Sequence, residues 1–203
     1  MLAVRVKPEE EILPLISSKK LFVFECLGCR EVNYPVEEAA QFLANLKEEI
    51  TGRATLDYLC NREFARAYIS AYADEIEEAQ AVLILSCGVG AQVISSLLDN
   101  KLVYTCCDTL YLPGFQGLTS KESDCDQCGE CYLNYTGGIC PVALCSKHIM
   151  NGPCGGSQAG KCEVDPDMTC AWQDIVDRLT RLGQLHLLER VGAPKNWTVE
   201  PAS

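Results

Sequence analysis

Histidine is almost missing from this sequence. His148 and His186 are the two it has, so any metal here must be held almost entirely by sulfur. Basic residues are also few, 17 against 28 acidic ones, and the net charge of −11 excludes nucleic acid and anionic membrane surfaces as natural partners. No stretch approaches the roughly 20 apolar residues of a membrane span, so no membrane insertion is expected. The N-terminal "MLAVRVKPEEEILPLISS" lacks a signal-like apolar run and turns acidic at once, which makes a cytoplasmic protein the expectation. P-loop, H-E-x-x-H and G-x-S-x-G patterns are all absent, and with them the usual signs of nucleotide hydrolysis, zinc proteolysis and nucleophilic catalysis.

Cysteine is what the chain has in excess. There are 14, eight of them between Cys125 and Cys170. Thiols stay reduced in the cytoplasm, so this number points to metal ligation and not to cross-linking.

Before that segment, apolar strands, cysteines and amphipathic helices alternate. "KLFVFE" (20–25) reads as a strand and is followed by Cys26 and Cys29. Pro35 suits a first helical turn, Val36, Ala39, Ala40, Leu43, Leu46 and Ile50 form a helical stripe, and Gly52 ends the helix. "ATLDYL" (54–59) reads as a second strand, with Cys60 after it. A helix over 62–78 follows, with Phe64, Ala67, Tyr68, Ala71 and Tyr72 as its inner stripe. "AVLILS" (81–86) has the continuous apolar character of a central parallel strand and leads to Cys87. "AQVISSLLD" reads as a short helix, then "KLVYT" (101–105) as a strand before Cys106 and Cys107.

This order predicts right-handed βαβ units and a Rossmann-like parallel sheet over residues 1–115. Residues just after parallel strands gather at one sheet edge, so Cys26, Cys29, Cys60 and Cys87 are expected to meet there and hold a metal. Cysteine is also a small buried hydrophobe, and that reading suits one of Cys106 and Cys107.

"LPGFQGLTSKES" (112–123) reads as a linker. Residues 116–182 then form a loop-rich cysteine module that needs a metal to fold, closed by an amphipathic helix over 169–182 with Trp172, Ile175, Val176, Leu179 and Leu182 on one side. The tail, 183–203, has Trp197, two prolines and no periodicity, and is expected to dock on a partner.

The sharpest motif is C-x2-C-x2-C at Cys125, Cys128 and Cys131. Zinc knuckles use pairs, whereas three thiolates at this spacing on one loop wrap a cubane. A Cys-Pro follows, as in ferredoxins, but Cys140 is separated from Cys131 by eight residues where a ferredoxin has three. With Cys145, Cys154, Cys162 and Cys170 the count reaches two 4Fe-4S clusters at four ligands each, the partition between them left open. Gly155 and Gly156 in "NGPCGG" offer backbone amides to cluster sulfur, or make a plain turn. A competing signal, Gly88-x-Gly90 after a strand with Asp108 at the distance of a ribose-binding acid, would mark an NAD-binding dehydrogenase fragment. Val93 stands where its third glycine belongs.

"CDQCGECYLNYTGGICPVALCSKHIMNGPCGG", with "GKCEV" and "CAW", resembles the C-terminal methylenetetrahydrofolate reductase domain. The whole chain resembles the small iron–sulfur subunit of acetogen-type methylenetetrahydrofolate reductases. That resemblance implies a heterodimer with a flavin-containing subunit, FMN on that partner, electrons passed to the flavin through two 4Fe-4S clusters, and an electron-donating redox protein upstream. Relatives have a third cysteine soon after the first pair where this chain has Asn33, so a third centre, zinc or 4Fe-4S, must recruit other thiols. A structural zinc-binding accessory subunit is the alternative.

Overall fold

A computed structural model describes residues 2–27, 32–111 and 125–195. In chain order the elements are β1 (Leu2–Val6), α1 (Glu9–Ile16), β2 (Leu21–Cys26), β3 (Val32–Asn33), α2 (Val36–Asn45), β4 (Ile50–Leu56), α3 (Arg62–Ala71), α4 (Ala73–Glu78), β5 (Ala81–Leu85), α5 (Gly88–Leu97), β6 (Leu102–Thr105), β7 (Cys107–Tyr111), α6 (Pro141–Leu144) and α7 (Ala171–Arg181). Short 3-10 turns lie at Leu133–Tyr135 and Leu185–Glu189.

The central sheet is parallel throughout, in the order β4–β2–β5–β6. All of β5 and the first five residues of β2 are buried, as strands covered on both faces require. Phe22 and Phe24 meet edge to face with ring centres 4.8 Å apart, and Tyr72 packs on Phe22 from α3's end. After β6 the chain passes through Cys106 into a second sheet, where β7 pairs antiparallel with β1, which is flanked on its other side by β3.

The expected alternation holds for β2, β5 and β6, while several boundaries differ. Gly52 does not end α2; it lies inside β4, where a Cβ would come within 2.7 Å of the Phe22 ring, so glycine is required beneath that ring. Ile50 belongs to the same strand and not to α2, whose buried face is Ala39, Phe42 and Leu43 while Val36 and Ala40 are exposed. The helix expected over 62–78 is two, α3 and α4, because Tyr72 leaves helical geometry at φ −117° and ψ 29°. Its inward residues are Ala65, Tyr68, Ile69 and Tyr72; Phe64, Ala67 and Ala71 face outward. The Asn61 side chain caps α3 by accepting from the N–H groups of Glu63 and Phe64. The 112–123 linker lies outside the described residues, as does Trp197.

The cysteine-rich segment lies against this layer. Asn134 extends the sheet by side chain, accepting from Thr105 N at 2.7 Å and donating to Thr105 O at 3.0 Å. Arg178 of α7 crosses to the C-terminal end of α5, donating to Asp99 Oδ1, Ser95 O and Leu98 O, so one buried guanidinium satisfies carbonyls a helix end leaves open. Gly138, at φ +86°, lets this packing close because any Cβ would overlap Ser95. The segment also has a small core of its own. Trp172, Ile175 and Leu179 are buried with Ile139, Cys145, Cys170, Leu187 and Leu188 around them, and Trp172 Nε1 donates to Ile149 O at 2.8 Å.

Candidate metal centre

The loop carrying Cys125, Cys128 and Cys131 is held by β7 and β1. Asp108 is buried and faces Arg5 across the β1–β7 pair. Its Oδ1 accepts from Cys131 N at 2.7 Å and from Lys7 Nζ at 2.8 Å, and its Oδ2 accepts from Arg5 Nη2 at 3.2 Å. Arg5 also donates to Gly129 O at 3.1 Å, and Gly129 N donates to Thr109 O at 3.0 Å. Gly129 and Cys131 are thus each tied to a strand through backbone groups. Thr109 does a second job, accepting from Gly88 N at 2.8 Å at the start of α5. Gly88 lacks a side chain where Cys125 Sγ approaches: a Cβ there would stand 3.2 Å from the sulfur.

Cys125, Cys128, Cys131 and Cys140 line one hollow of about 370 Å³, counted with its open mouth. Cys140 arrives from the other side, as the residue before α6, and its Sγ accepts from Ala143 N at 3.4 Å. Lys195 reaches in from the tail and donates to Cys128 Sγ at 2.8 Å and to Glu130 O. Burial pushes the Cys125 thiol up to about 12, and its neighbours Cys87, Cys140 and Cys128 add to the shift. Cys131 and Cys140 are raised for the same reason, burial first and neighbouring thiols after it. Apposed buried thiols resist ionisation unless a cation compensates them. Four thiols around one space, with backbone N–H groups aimed at sulfur, are the kind of donor set a 4Fe-4S cluster takes.

Cys145, Cys154, Cys162 and Cys170 lie around a second set of turns. Cys145 and Cys170 pack on the Trp172 core. Cys162 Sγ lies 3.7 Å from Ser146 Oγ, Lys147 pairs with Glu163, and Cys154 Sγ lies 3.6 Å from Glu163 Oε1. Cys170 N donates to Gly160 O and Cys162 N to Met168 O, which draws the ends of that turn together. Gly156 N donates to Cys154 Sγ at 3.4 Å, and Gly155 has φ +79°. A turn of this shape is both a plain turn and an amide donor to sulfur.

At the C-terminal edge of the parallel sheet stand Cys26, Cys60 and Cys87. Burial pushes Cys60 up to about 11 and Cys87 up to about 12; Cys26 adds to both shifts, and Cys60 adds to that of Cys87. The three are therefore electrostatic neighbours, as strand order requires. Cys29 lies outside the described residues. Cys106 and Cys107 are fully buried, and Cys107 is raised by burial and then by Cys106, Asp108, Cys131 and Cys87, which sets it between the two thiol groups. Among the described residues no three Cys, His, Asp or Glu side chains close tightly enough to hold a metal ion.

The Gly88 turn is not free for a dinucleotide. Its N–H is taken by Thr109, a Cβ at Gly90 would meet Ser86 Oγ at 2.8 Å, and Asp108 faces the cysteine loop. Asp108, Thr109, Lys7 and Lys195 were not legible as site residues. Asp108 alone left a signal, misdirected toward ribose.

No helix of the described residues is long and apolar enough to cross a membrane. No curated protein and no solved structure matches this chain. Residues 104–198, from β6 through all eight cysteines of the loop-rich segment and past Lys195, match the family described as methylene-tetrahydrofolate reductase C terminal.

Proposed function

We propose that this chain is the iron–sulfur electron-transfer subunit of a methylenetetrahydrofolate reductase, delivering electrons to the flavin of a partner subunit that makes methyl-tetrahydrofolate. The observation that carries the reading is the convergence of Cys125, Cys128, Cys131 and Cys140 on one hollow, inside the residues that match the reductase family. In this reading those four thiolates hold one 4Fe-4S cluster and Cys145, Cys154, Cys162 and Cys170 hold another. Cys26, Cys60 and Cys87, with Cys29, hold a third centre of zinc or iron. Such clusters carry single electrons, and the flavin of the partner converts them into the two-electron step the folate needs.

The chain's own residues supply position and environment. Asp108, Arg5 and Lys7 fix the cysteine loop against the sheet. Leu133 and Val142 are buried beside the hollow and keep water from that side of it. Cys87 and Cys125, on either side of Gly88, put the sheet-edge thiols next to those of the hollow, which is the arrangement a relay requires.

Anaerobic purification with iron, sulfide and zinc counts tests the reading. About eight irons and eight sulfides in the two C-terminal sites are expected, and a chain so loaded should reduce a flavoprotein partner's flavin while leaving folate untouched when alone. Zinc without acid-labile sulfide would establish the structural zinc alternative instead.

A further inference from the structure

The tail that supplies Lys195 is fixed to its own chain over several residues. Leu187 and Leu188 pack on the Trp172 core, and the Arg190 guanidinium stacks 3.9 Å above the centre of the Tyr135 ring. Gly192 exchanges two hydrogen bonds with the Asn151 side chain, at 2.8 and 3.0 Å, and has no room for a Cβ beside the Tyr132 hydroxyl. Three residues on, the Lys195 ammonium arrives at Cys128 Sγ, 2.8 Å away. The charged groups lining the hollow are Asp126, Glu130 and Lys195. Lys7 acts by charge on Cys131 from behind the loop, but it is paired with Asp108 and Glu11, which among the described residues leaves Lys195 as the cation in contact with a thiol of the hollow.

We propose that Lys195 sets the reduction potential of the centre held by Cys125, Cys128, Cys131 and Cys140, through its hydrogen bond and charge at the Cys128 sulfur. The inference rests on the cluster reading above. Reduction adds one electron, hence one negative charge, to the cluster and its thiolates; no bond to Lys195 forms or breaks and the ammonium keeps its protons. A cation at a ligand sulfur stabilises that added charge and raises the potential, and so does a hydrogen bond to the sulfur. The site around Cys145, Cys154, Cys162 and Cys170 has no contact from Lys195; Lys147, a cation near it, is paired with Glu163, so a change at Lys195 acts on the hollow alone.

The test is a dithionite titration of the full chain, anaerobic and followed by electron paramagnetic resonance, for wild type, K195R, K195Q and K195M. The C128S variant identifies which signal belongs to the hollow. In K195M that signal should keep its iron and shift to a more negative potential while the other stays in place. K195R should keep most of the wild-type potential, and K195Q, a neutral donor, should fall between it and K195M. Should K195M lose its iron, the K195Q against K195R comparison decides in the same way. Unmoved potentials, equal shifts in both clusters, or iron loss that K195R does not prevent would reduce Lys195 to a structural tie and overturn the proposal. A wild-type chain without iron and sulfide would instead defeat the cluster reading itself.

Discussion

Asp108 and Cys131 are joined by a 2.7 Å hydrogen bond from a loop amide to a buried carboxylate, and through it the cysteine loop is attached to two strands. The same carboxylate neutralises Lys7, whose side chain is 1% exposed. Replacing Asp108 by alanine therefore strands a buried ammonium with Glu11 alone and removes the loop's tie at Cys131. A loss of about 3–5 kcal/mol in folding stability is expected, read from the denaturant midpoint. Asp108→Asn keeps an acceptor for Cys131 N and should cost less. Iron at the hollow should fall in both variants, while iron around Cys170 should not.

Cys128→Ser should remove about four of roughly eight irons. The segment should nevertheless stay folded, because α7 has its own core and its own bridge to α5 through Arg178. Near-UV circular dichroism of Trp172 measures this directly; collapse of that signal would show that metal, and not the Trp172 core, organises residues 125–182.

Trp172→Ala is the complementary change. It removes the largest side chain of that small core and leaves Ile149 O without its donor. The expected cost is about 3–5 kcal/mol, with the site around Cys145 and Cys170 loading less iron because those two thiols lose the surface they pack on.

Stability should also fall with acid at the α5–α7 junction. Burial by itself would raise the Asp99 carboxyl, but hydrogen bonds from Arg178 and Arg181 outweigh it and hold it below the usual range. A carboxyl depressed in the folded chain contributes stability above its unfolded value of about 3.9, and that contribution is lost as pH falls through the lower folded value. Asp99 is half exposed, so solvent screens the effect and the direction is what counts. Urea midpoints of wild type and Asp99→Asn should differ at pH 7 and converge below pH 4.

The parallel sheet was legible because β2, β5 and β6 are apolar enough to leave one reading, and the cysteines after them followed from topology alone. β1, α1 and β7 were missed for local reasons. "LAVRV" is five residues long, α1 carries Pro14 in its interior, and "CDTLY" opens on a cysteine and an acid that read as loop. β4 was placed too late because its alternation is interrupted by Gly52, a residue whose purpose is visible only once Phe22 lies over it. At the site, C-x2-C-x2-C showed three of the hollow's thiols. The membership of Cys140 depended on where α6 begins, which spacing does not reveal. Asp108 and Lys195 act across 23 and 67 residues of chain, beyond any local pattern.

β1 is flanked by β3, near it in sequence, and by β7, about a hundred residues on, so its second neighbour is made long after it. β1 is made before the strand that begins at Cys107, and Arg5 before Gly129, the carbonyl it donates to. An N-terminal extension therefore sits one strand away from the cysteine loop, not at a remote end of the molecule. Arg5 braces the loop from one side of the sequence and Lys195 reaches it from the other, so residues 124 and 67 positions apart meet on one short turn.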